Sequence, residues 1–357
     1  MRIAIISPLY ESVPPKLYGG TERVVHYLTE ELVKMGHEVT LFASEDSATS
    51  ARLAGGCERA LRLDNGCLDP LAHHFMMLEK MLSMQDEFDI IHSNIDYIGM
   101  AFGKRAGKPV VTTVHGRLDI SEIIRVYRMY KGFPLVSISN SQRRPVPDVN
   151  WISTIYHGLP ENLYAFREKP GDYLAYVGRI SPEKCVDSAI RIAALAGIPL
   201  KIAAKVDKAD REYFETLIKP LLAHPLVEFV GEVNDREKGE LAGGAMAFLH
   251  PVDWPEPFGL AMIEAMACGT PVLGRNRGSI PEVIDNGVTG FIFERDEEAV
   301  NILQNEIPRF NRRACRARFE ERFSAARMAA DYVNVYEKLA GKAGDERICL
   351  QLKSMRG

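Results

Sequence analysis

Pro255-Glu256-Pro257-Phe258-Gly259-Leu260-Ala261-Met262-Ile263-Glu264-Ala265-Met266-Ala267-Cys268-Gly269-Thr270-Pro271-Val272 reads as a strand end, a loop, a helix and the start of the next strand. Pro257 and Gly259 keep the chain out of helix until about Gly259. The N–H groups of Phe258, Gly259 and Leu260 then point out of the helix start, where free amides and the helix dipole favour an anion. Gly259 lets a phosphate or sugar approach the backbone. Glu256 and Glu264 are separated by about two helical turns, and if both were helical they would sit ~80° apart around the axis. With Glu256 in the loop before the helix, both carboxylates can reach one ligand. Each is a bidentate acceptor suited to vicinal hydroxyls, so the pair points to a polyol such as a sugar and a ribose. A bare pair at this spacing would mean only a helix N-terminus and an exposed mid-helix acid; the Pro-Phe-Gly loop between them sets this one apart.

Outward from this segment, short apolar runs alternate with helical patterns, the signature of βαβ units and parallel sheets. In the first half, strands are predicted at Arg2–Ser7, Glu38–Ala43, Phe88–His92, Pro109–His115, Pro134–Ser139 and Ile152–His157. A helix over Thr21–Met35 carries Val24, Leu28 and Leu32 on one face and stops at Gly36. Charge, proline and glycine in Arg167–Asp172 mark a linker. The pattern then restarts with strands at Tyr173–Val177, Leu200–Val206, Val227–Val230, Ala245–His250, Pro271–Leu273 and Gly290–Phe293, and a helix over Ala209–Ala223. Ala299–Ala340 is mostly helical with a break near Phe323-Ser324, and Gly341–Gly357 is expected to be loosely ordered. The domains expected are therefore 1–165, 172–322 and a C-terminal helix, 323–340, packing back on the first domain.

Bulk properties agree with an ordinary globular chain. It has 357 residues, 46% of them hydrophobic and 26% charged, and a formal net charge of −4. That length suggests two domains, and the acidic balance argues against a nucleic-acid binder. No apolar run reaches the ~20 residues of a membrane span. Met1–Pro8 is too short and too soon broken for a signal peptide, so the expected location is cytoplasmic. The six cysteines form no C-x-x-C pair and no metal-ligand spacing; reduced thiols are the expectation.

Four further segments carry candidate chemistry. Val177-Gly178-Arg179-Ile180-Ser181-Pro182-Glu183-Lys184 follows a strand and opens a helix, so that Arg179 and Lys184 can converge on a diphosphate. Tyr18-Gly19-Gly20-Thr21 opens the first helix; it is not G-x-G-x-x-G, so the dinucleotide fingerprint is absent, but Gly19 and Gly20 still permit close approach to a phosphate. Thr112-Thr113-Val114-His115-Gly116 ends a strand at a histidine. Val230-Gly231-Glu232-Val233 would offer backbone contacts to a base, through Gly231 and Val233, and Lys205 could approach the phosphates. His92 and His157 have weaker claims; His250, His73 and His74 read as structural or exposed. The stretch 101–144 holds 9 basic and 2 acidic residues, a face for an anionic acceptor, for the inner face of a membrane, or simply for solvent.

The segment from Trp254 to Phe293, with Gly278-Ser279-Ile280-Pro281-Glu282 downstream, resembles the retaining group 1 glycosyltransferases of family 4. The resemblance implies a GT-B fold: two Rossmann-like domains facing across a cleft, with the last helix crossing back. It implies that Glu256 contacts a donor sugar, that the amides of Phe258, Gly259 and Leu260 cradle sugar and phosphate, and that Glu264 holds ribose hydroxyls. Gly178, Arg179 and Lys184 match the family's G-R-x-x-x-x-K-G motif, with Cys185 standing where its last glycine is usual; a Cβ is tolerable there if the residue is helical. His115 matches a Thr-x-His pattern placed near the donor sugar. The catalytic set implied is His115, Glu256, Arg179 and Lys184. The chemistry implied is hexosyl transfer from a nucleotide-diphosphate sugar, UDP-sugar favoured and GDP-sugar possible, to an acceptor hydroxyl with retention of configuration. No separate cofactor is implied, and no Asp-x-Asp is present, so metal independence is expected. The competing readings are a nucleotide-sugar 2-epimerase, a nicotinamide-dependent oxidoreductase and a non-catalytic sugar-binding protein.

Overall fold

A computed structural model of the chain describes residues 1–354 apart from Leu17 and Asn65, with the backbone alone described from residue 342 onward. It divides into two compact units. The first comprises Met1–Gly158 and the segment from Ala325; the second is Leu159–Ser324.

The first unit is built on seven parallel strands: β1 (Arg2–Ile6), β2 (Glu38–Ala43), β3 (Arg52–Gly55), β4 (Ile90–Ser93), β5 (Val110–Thr113), β6 (Leu135–Ser137) and β7 (Trp151–Thr154), in the order β3-β2-β1-β4-β5-β6-β7. Strands covered on both faces read as unbroken apolar runs, and Ile3, Ala4, Ile5 and Ile6 are all buried. β3 has no counterpart in the sequence reading, because Arg52-Leu53-Ala54-Gly55 buries only Ala54 fully and is too short to show alternation. Helix α1 (Gly20–Lys34) follows β1 and α2 (Asp96–Gly103) follows β4. The strand order reverses between β1 and β4, and such a switch point opens a crevice at the C-terminal strand ends. Asn94, Asp96 and the loop into Gly19 lie there.

The second unit has six parallel strands: β8 (Leu174–Arg179), β9 (Leu200–Lys205), β10 (Val227–Gly231), β11 (Ala247–His250), β12 (Val272–Arg275) and β13 (Gly290–Phe293), in the order β10-β9-β8-β11-β12-β13. Its switch point is between β8 and β11. The segment Gly178–Lys184 leaves β8 there, and the Glu256 loop leaves β11 there. Helices α3 (Val186–Ala196), α4 (Asp235–Gly244) and α5 (Leu260–Ala267) pack around this sheet.

Three expectations need correction. The region expected as one helix over Ala209–Ala223 is a succession of short turns, with a π turn over Phe214–Ile218; Pro220 has no N–H for the carbonyl four residues back, and the ladder widens just before it. The stretch from Leu159 through the expected linker, Arg167–Asp172, is not free. It belongs to the second unit, where the Arg167 amide donates to the Cys268 carbonyl and the Arg316 guanidinium donates to the carbonyls of Glu161 and Tyr164. The last helix, α6 (Ala325–Ser354), breaks from its predecessor at Ser324 but does not stop near 340; of the expected loose tail, 355–357 lie outside the described residues. Within the first unit α6 packs on α1 and β4. His92 is buried there as a structural link, bonded to Tyr336 Oη at 2.8 Å and Thr113 Oγ1 at 2.7 Å, with Thr113 also bonded to Tyr332.

Candidate active site

Glu256 is fixed before any ligand is involved. Its Oε2 accepts from Lys184 Nζ in a short ion pair and from Trp254 Nε1 at 2.9 Å. Lys184 Nζ also sits 4.8 Å from the Trp254 ring centroid. His250 Nε2 lies 4.0 Å from the same oxygen. Burial pushes the Glu256 carboxyl up, but the Lys184 ammonium beside it and the bonds from Lys184 and Trp254 bring it below its ordinary range. Oε1 has no hydrogen bond among the described residues and is not sealed from solvent. One oxygen anchors the side chain, and the other remains an acceptor for a hydroxyl.

The loop around Glu256 is held from two sides. Phe258 is buried with its ring 6.1 Å from Phe323. The Gly278-Ser279 turn closes on the loop: Ser279 N–H donates to the Glu256 carbonyl at 2.9 Å and Ser279 Oγ to the Phe258 carbonyl at 2.9 Å. Gly259, with φ +84, is the left-handed cap of α5; a Cβ there would lie 2.6 Å from Met262 Cε and 3.3 Å from His250 Nε2. Among the described residues the N–H groups of Gly259 and Leu260 meet no acceptor, leaving the amide cradle open at the helix start.

Glu264, one turn into α5, is buried and repeats the arrangement. Oε1 accepts from Lys238 Nζ at 2.5 Å and from Tyr164 Oη at 3.4 Å, while Oε2 makes no hydrogen bond among the described residues. Gly231 ends β10, and Gly231 and Val233 lie on the loop leading into α4, which carries Lys238.

Arg179 and Lys184, expected to converge on a diphosphate, are each held by carboxylates in this structure. Lys184 pairs with Glu256, whereas Arg179 bonds Glu183 Oε1 through Nη2 at 2.7 Å and faces Asp207 through Nη1 at 3.7 Å and Asp210 through Nε at 4.0 Å. Lys205 pairs with Asp207 at 3.2 Å. Cys185 is also not helical. It has φ 50 and ψ 50, the left-handed region in which a Cβ is costly; this is the physical reason for a glycine at that place in the family motif.

In the first unit, Nε2 of His115 donates to Asn94 Oδ1 at 2.9 Å, its amide donates to Asp96 Oδ1 at 3.0 Å, and its ring stacks on His157 at 5.3 Å. Burial lowers the His115 imidazole to about 3, so the ring is neutral and Nδ1, with no partner among the described residues, is an acceptor. Asp96 holds φ 48, and burial pushes it up to about 6 against the amides of His115 and Gly116. Gly19 precedes α1 and packs against Pro15 and Glu11; Gly20 is the first residue of α1. Glu22 in that first turn is buried, which pushes its carboxyl up to about 7, with Glu11 adding to the effect. The basic stretch is largely offset by its neighbours: Arg105, Lys108, Arg117 and Arg128 each face a carboxylate, and Lys104 and Arg143 lie over aromatic rings. Among the described residues no helix is long and apolar enough to cross a membrane.

Sequence reasoning missed Lys238, Trp254, Tyr164, Asn94 and Asp96, and it set His250 aside. Trp254 adjoins the motif and His250 ends a strand at the switch point, so position alone could have flagged both. Lys238 left no signal, because its partner is 26 residues away on another helix.

Residues 18–159 match the family described as Glycosyltransferase Family 4, and residues 165–306 match Glycosyl transferases group 1. The chain belongs to the group 1, family 4 glycosyltransferases. An uncharacterized glycosyltransferase of Methanocaldococcus jannaschii is 26% identical, with 84% of this chain and 87% of that protein aligned. A glycogen synthase of Mycobacterium tuberculosis is 26% identical over 97% of this chain and 96% of its own length. The Anabaena HepE structure in complex with UDP-glucose superposes with a TM-score of 0.73 at 20% identity, covering 95% of this chain and all of that one. The architecture shared with such group 1 glycosyltransferases is GT-B.

Proposed function

We propose that this glycosyltransferase moves a hexosyl unit from a nucleotide-diphosphate sugar, a UDP-sugar by preference, to an acceptor hydroxyl with retention of anomeric configuration and without a metal ion. The observation that carries the reading is the pair of lysine-anchored glutamates, each keeping one oxygen for a ligand, on either side of the open N-terminus of α5. In this reading Glu256 Oε1 takes a donor-sugar hydroxyl, Glu264 Oε2 takes a ribose hydroxyl, and the amides of Gly259 and Leu260 meet the phosphates. His115 supplies a polar contact to the sugar. The bond from the anomeric carbon to the diphosphate oxygen breaks as the bond to the acceptor oxygen forms on the same face, and the acceptor proton passes to the departing phosphate. Lys184 and Arg179 leave their carboxylate partners to meet the charge growing on that phosphate; removing one such donor would cost ~2.7–4 kcal/mol of barrier. HepE, which shares the fold, is described in complex with UDP-glucose, and this supports the donor class.

The test is to screen UDP-, GDP- and ADP-sugars with hydroxyl acceptors, reading nucleotide release and the product anomer by NMR. Acceptor-stimulated release of the nucleoside diphosphate, an unchanged anomeric configuration and full turnover in excess EDTA are expected. An inverted product, strict loss of activity in chelator, or a covalent sugar adduct on Glu256 would each overturn the corresponding part.

A further inference from the structure

We infer that Lys238 is a specificity-determining residue: together with Glu264 it forms a donor–acceptor clamp that requires both the 2′ and 3′ hydroxyls of the donor's ribose. The inference rests on the proposed nucleotide-sugar reading and adds to it a residue and a discrimination.

Lys238 is presented rigidly. Helix α4 opens with a reciprocal cap in which the Glu237 amide donates to Asn234 Oδ1 at 3.0 Å and the Asn234 amide donates to Glu237 Oε2 at 2.9 Å, a pairing that fixes the first turn. Lys238 follows directly. Its side chain is only 12% exposed, and Nζ lies 5.8 Å from the Tyr164 ring centroid. Nζ meets Glu264 Oε1 at 2.5 Å and Asp235 Oδ1 at 3.2 Å.

An ammonium has three protons and no acceptor. One is donated to Glu264 Oε1, and Asp235 Oδ1 lies 3.2 Å away as an ion-pair partner, so at least one remains. Glu264 has spent Oε1 and retains Oε2, which reaches solvent. The pair therefore offers one unused donor beside one unused acceptor, both on side chains fixed by burial. A hydroxyl is both donor and acceptor, so two neighbouring hydroxyls complement this pair: one gives its proton to Oε2 and the other accepts a remaining proton of Nζ. A purely structural ion pair gains most when the remaining carboxylate oxygen is also satisfied; here it is left open.

Removing either hydroxyl leaves a desolvated donor or acceptor without a partner, which corresponds to about 10–100-fold in affinity. The experiment measures binding of UDP, 2′-deoxy-UDP and 3′-deoxy-UDP to the full chain by calorimetry, with the GDP and ADP sets in parallel, for the wild type, Lys238→Met, Lys238→Gln and Glu264→Gln. The wild type should prefer the ribonucleotide about 10–100-fold. Lys238→Met should weaken the ribonucleotide by a similar factor and bring the ribo/deoxy ratio close to one, whereas Lys238→Gln, which keeps an N–H donor, should recover part of the ratio. A wild type that binds ribo and deoxy forms alike overturns the inference, as does a Lys238→Met variant that weakens all three ligands equally. A wild type that binds no nucleoside diphosphate overturns the donor reading itself and the inference with it. Folding of each variant is checked by its unfolding midpoint; if Lys238→Met is unfolded, the wild-type ratio and Glu264→Gln still decide.

Discussion

Replacing Gly278 with alanine tests whether the neighbouring turn is what holds Glu256 in place. Gly278 has φ +55, and a Cβ there would lie 2.3 Å from the Glu256 amide nitrogen, 2.5 Å from its carbonyl oxygen and 2.7 Å from the Pro255 carbonyl carbon. A left-handed non-glycine residue costs about 1–2 kcal/mol. The overlap is with backbone, which has no rotamer to escape into, so the Glu256 loop or the turn must move. Moving either one breaks the two Ser279 bonds to Glu256 and Phe258, worth about 1 kcal/mol each. Gly278→Ala should therefore lose about 3–4 kcal/mol of stability in the second unit. A displacement of Glu256 by about 1 Å should also cost about 100-fold in kcat/KM. Gly287 provides the control: its φ is +81 but nothing lies within 4 Å of its Cβ position, so Gly287→Ala should cost only about 1–2 kcal/mol and leave turnover intact. Urea unfolding and donor kinetics on the two variants separate the effects. If Gly278→Ala matches Gly287→Ala in stability and the wild type in kcat/KM, the turn does not position Glu256.

Lys184→Met removes both the proposed phosphate ligand and the cation on Glu256; kcat/KM should fall about 10²–10³-fold, and a loss under threefold would remove Lys184 from the mechanism. Cys185→Gly relieves the left-handed cost of about 1–2 kcal/mol against the extra chain entropy of glycine, about 0.5–1 kcal/mol, so the variant should be more stable by up to about 1.5 kcal/mol in urea unfolding; destabilisation would show that the Cβ is well accommodated. Glu22 titrates at about 7 in the folded state, above its ordinary carboxyl value. It therefore stabilises the fold fully below about pH 4.5, and that contribution is lost as pH rises towards 7. Glu22→Gln cannot ionise, so between pH 4 and 8 its stability relative to wild type should improve by about 3 kcal/mol at ~1.4 kcal/mol per pKa unit; a pH-independent difference in urea midpoints would refute the burial argument.

The parallel sheets were legible because their strands are apolar on both faces and the helices between them carry their own stops, as in Thr21–Met35 before Gly36. β3 was not legible, because a four-residue edge strand with one buried position has no period to read. Segment Arg167–Asp172 looked like a linker from its charge and proline content, yet it is tied down by Arg312 and Arg313, far along the chain. The same distance hid the partners of the two motif glutamates. A motif shows which residues share a loop or helix turn; it does not show that Lys184 from the β8 loop reaches Glu256, or that Lys238 from α4 reaches Glu264.

Lys184 explains how the Glu256 carboxylate can wait, ionised, in a site that is nearly closed to water. A lone buried carboxylate would protonate, since burial alone raises its pKa, and a protonated acid would lose an acceptor for a sugar hydroxyl. Pairing one oxygen with a lysine keeps the group charged and fixes its torsion, so the second oxygen is aimed before the ligand arrives. For Glu256 the arrangement has a consequence under the proposed mechanism. Once Lys184 turns to the diphosphate, Glu256 keeps Trp254 and has His250 Nε2 at 4.0 Å. Burial lowers His250 to about 4, so it is neutral and can donate one proton without adding positive charge. His250→Phe should then leave ligand-free stability near that of the wild type, because Lys184 still holds Glu256, while donor binding weakens at least tenfold and kcat falls with it. Calorimetric titration of UDP with the two proteins distinguishes the cases: equal affinities would mean that Trp254 alone suffices to hold Glu256 when the lysine departs.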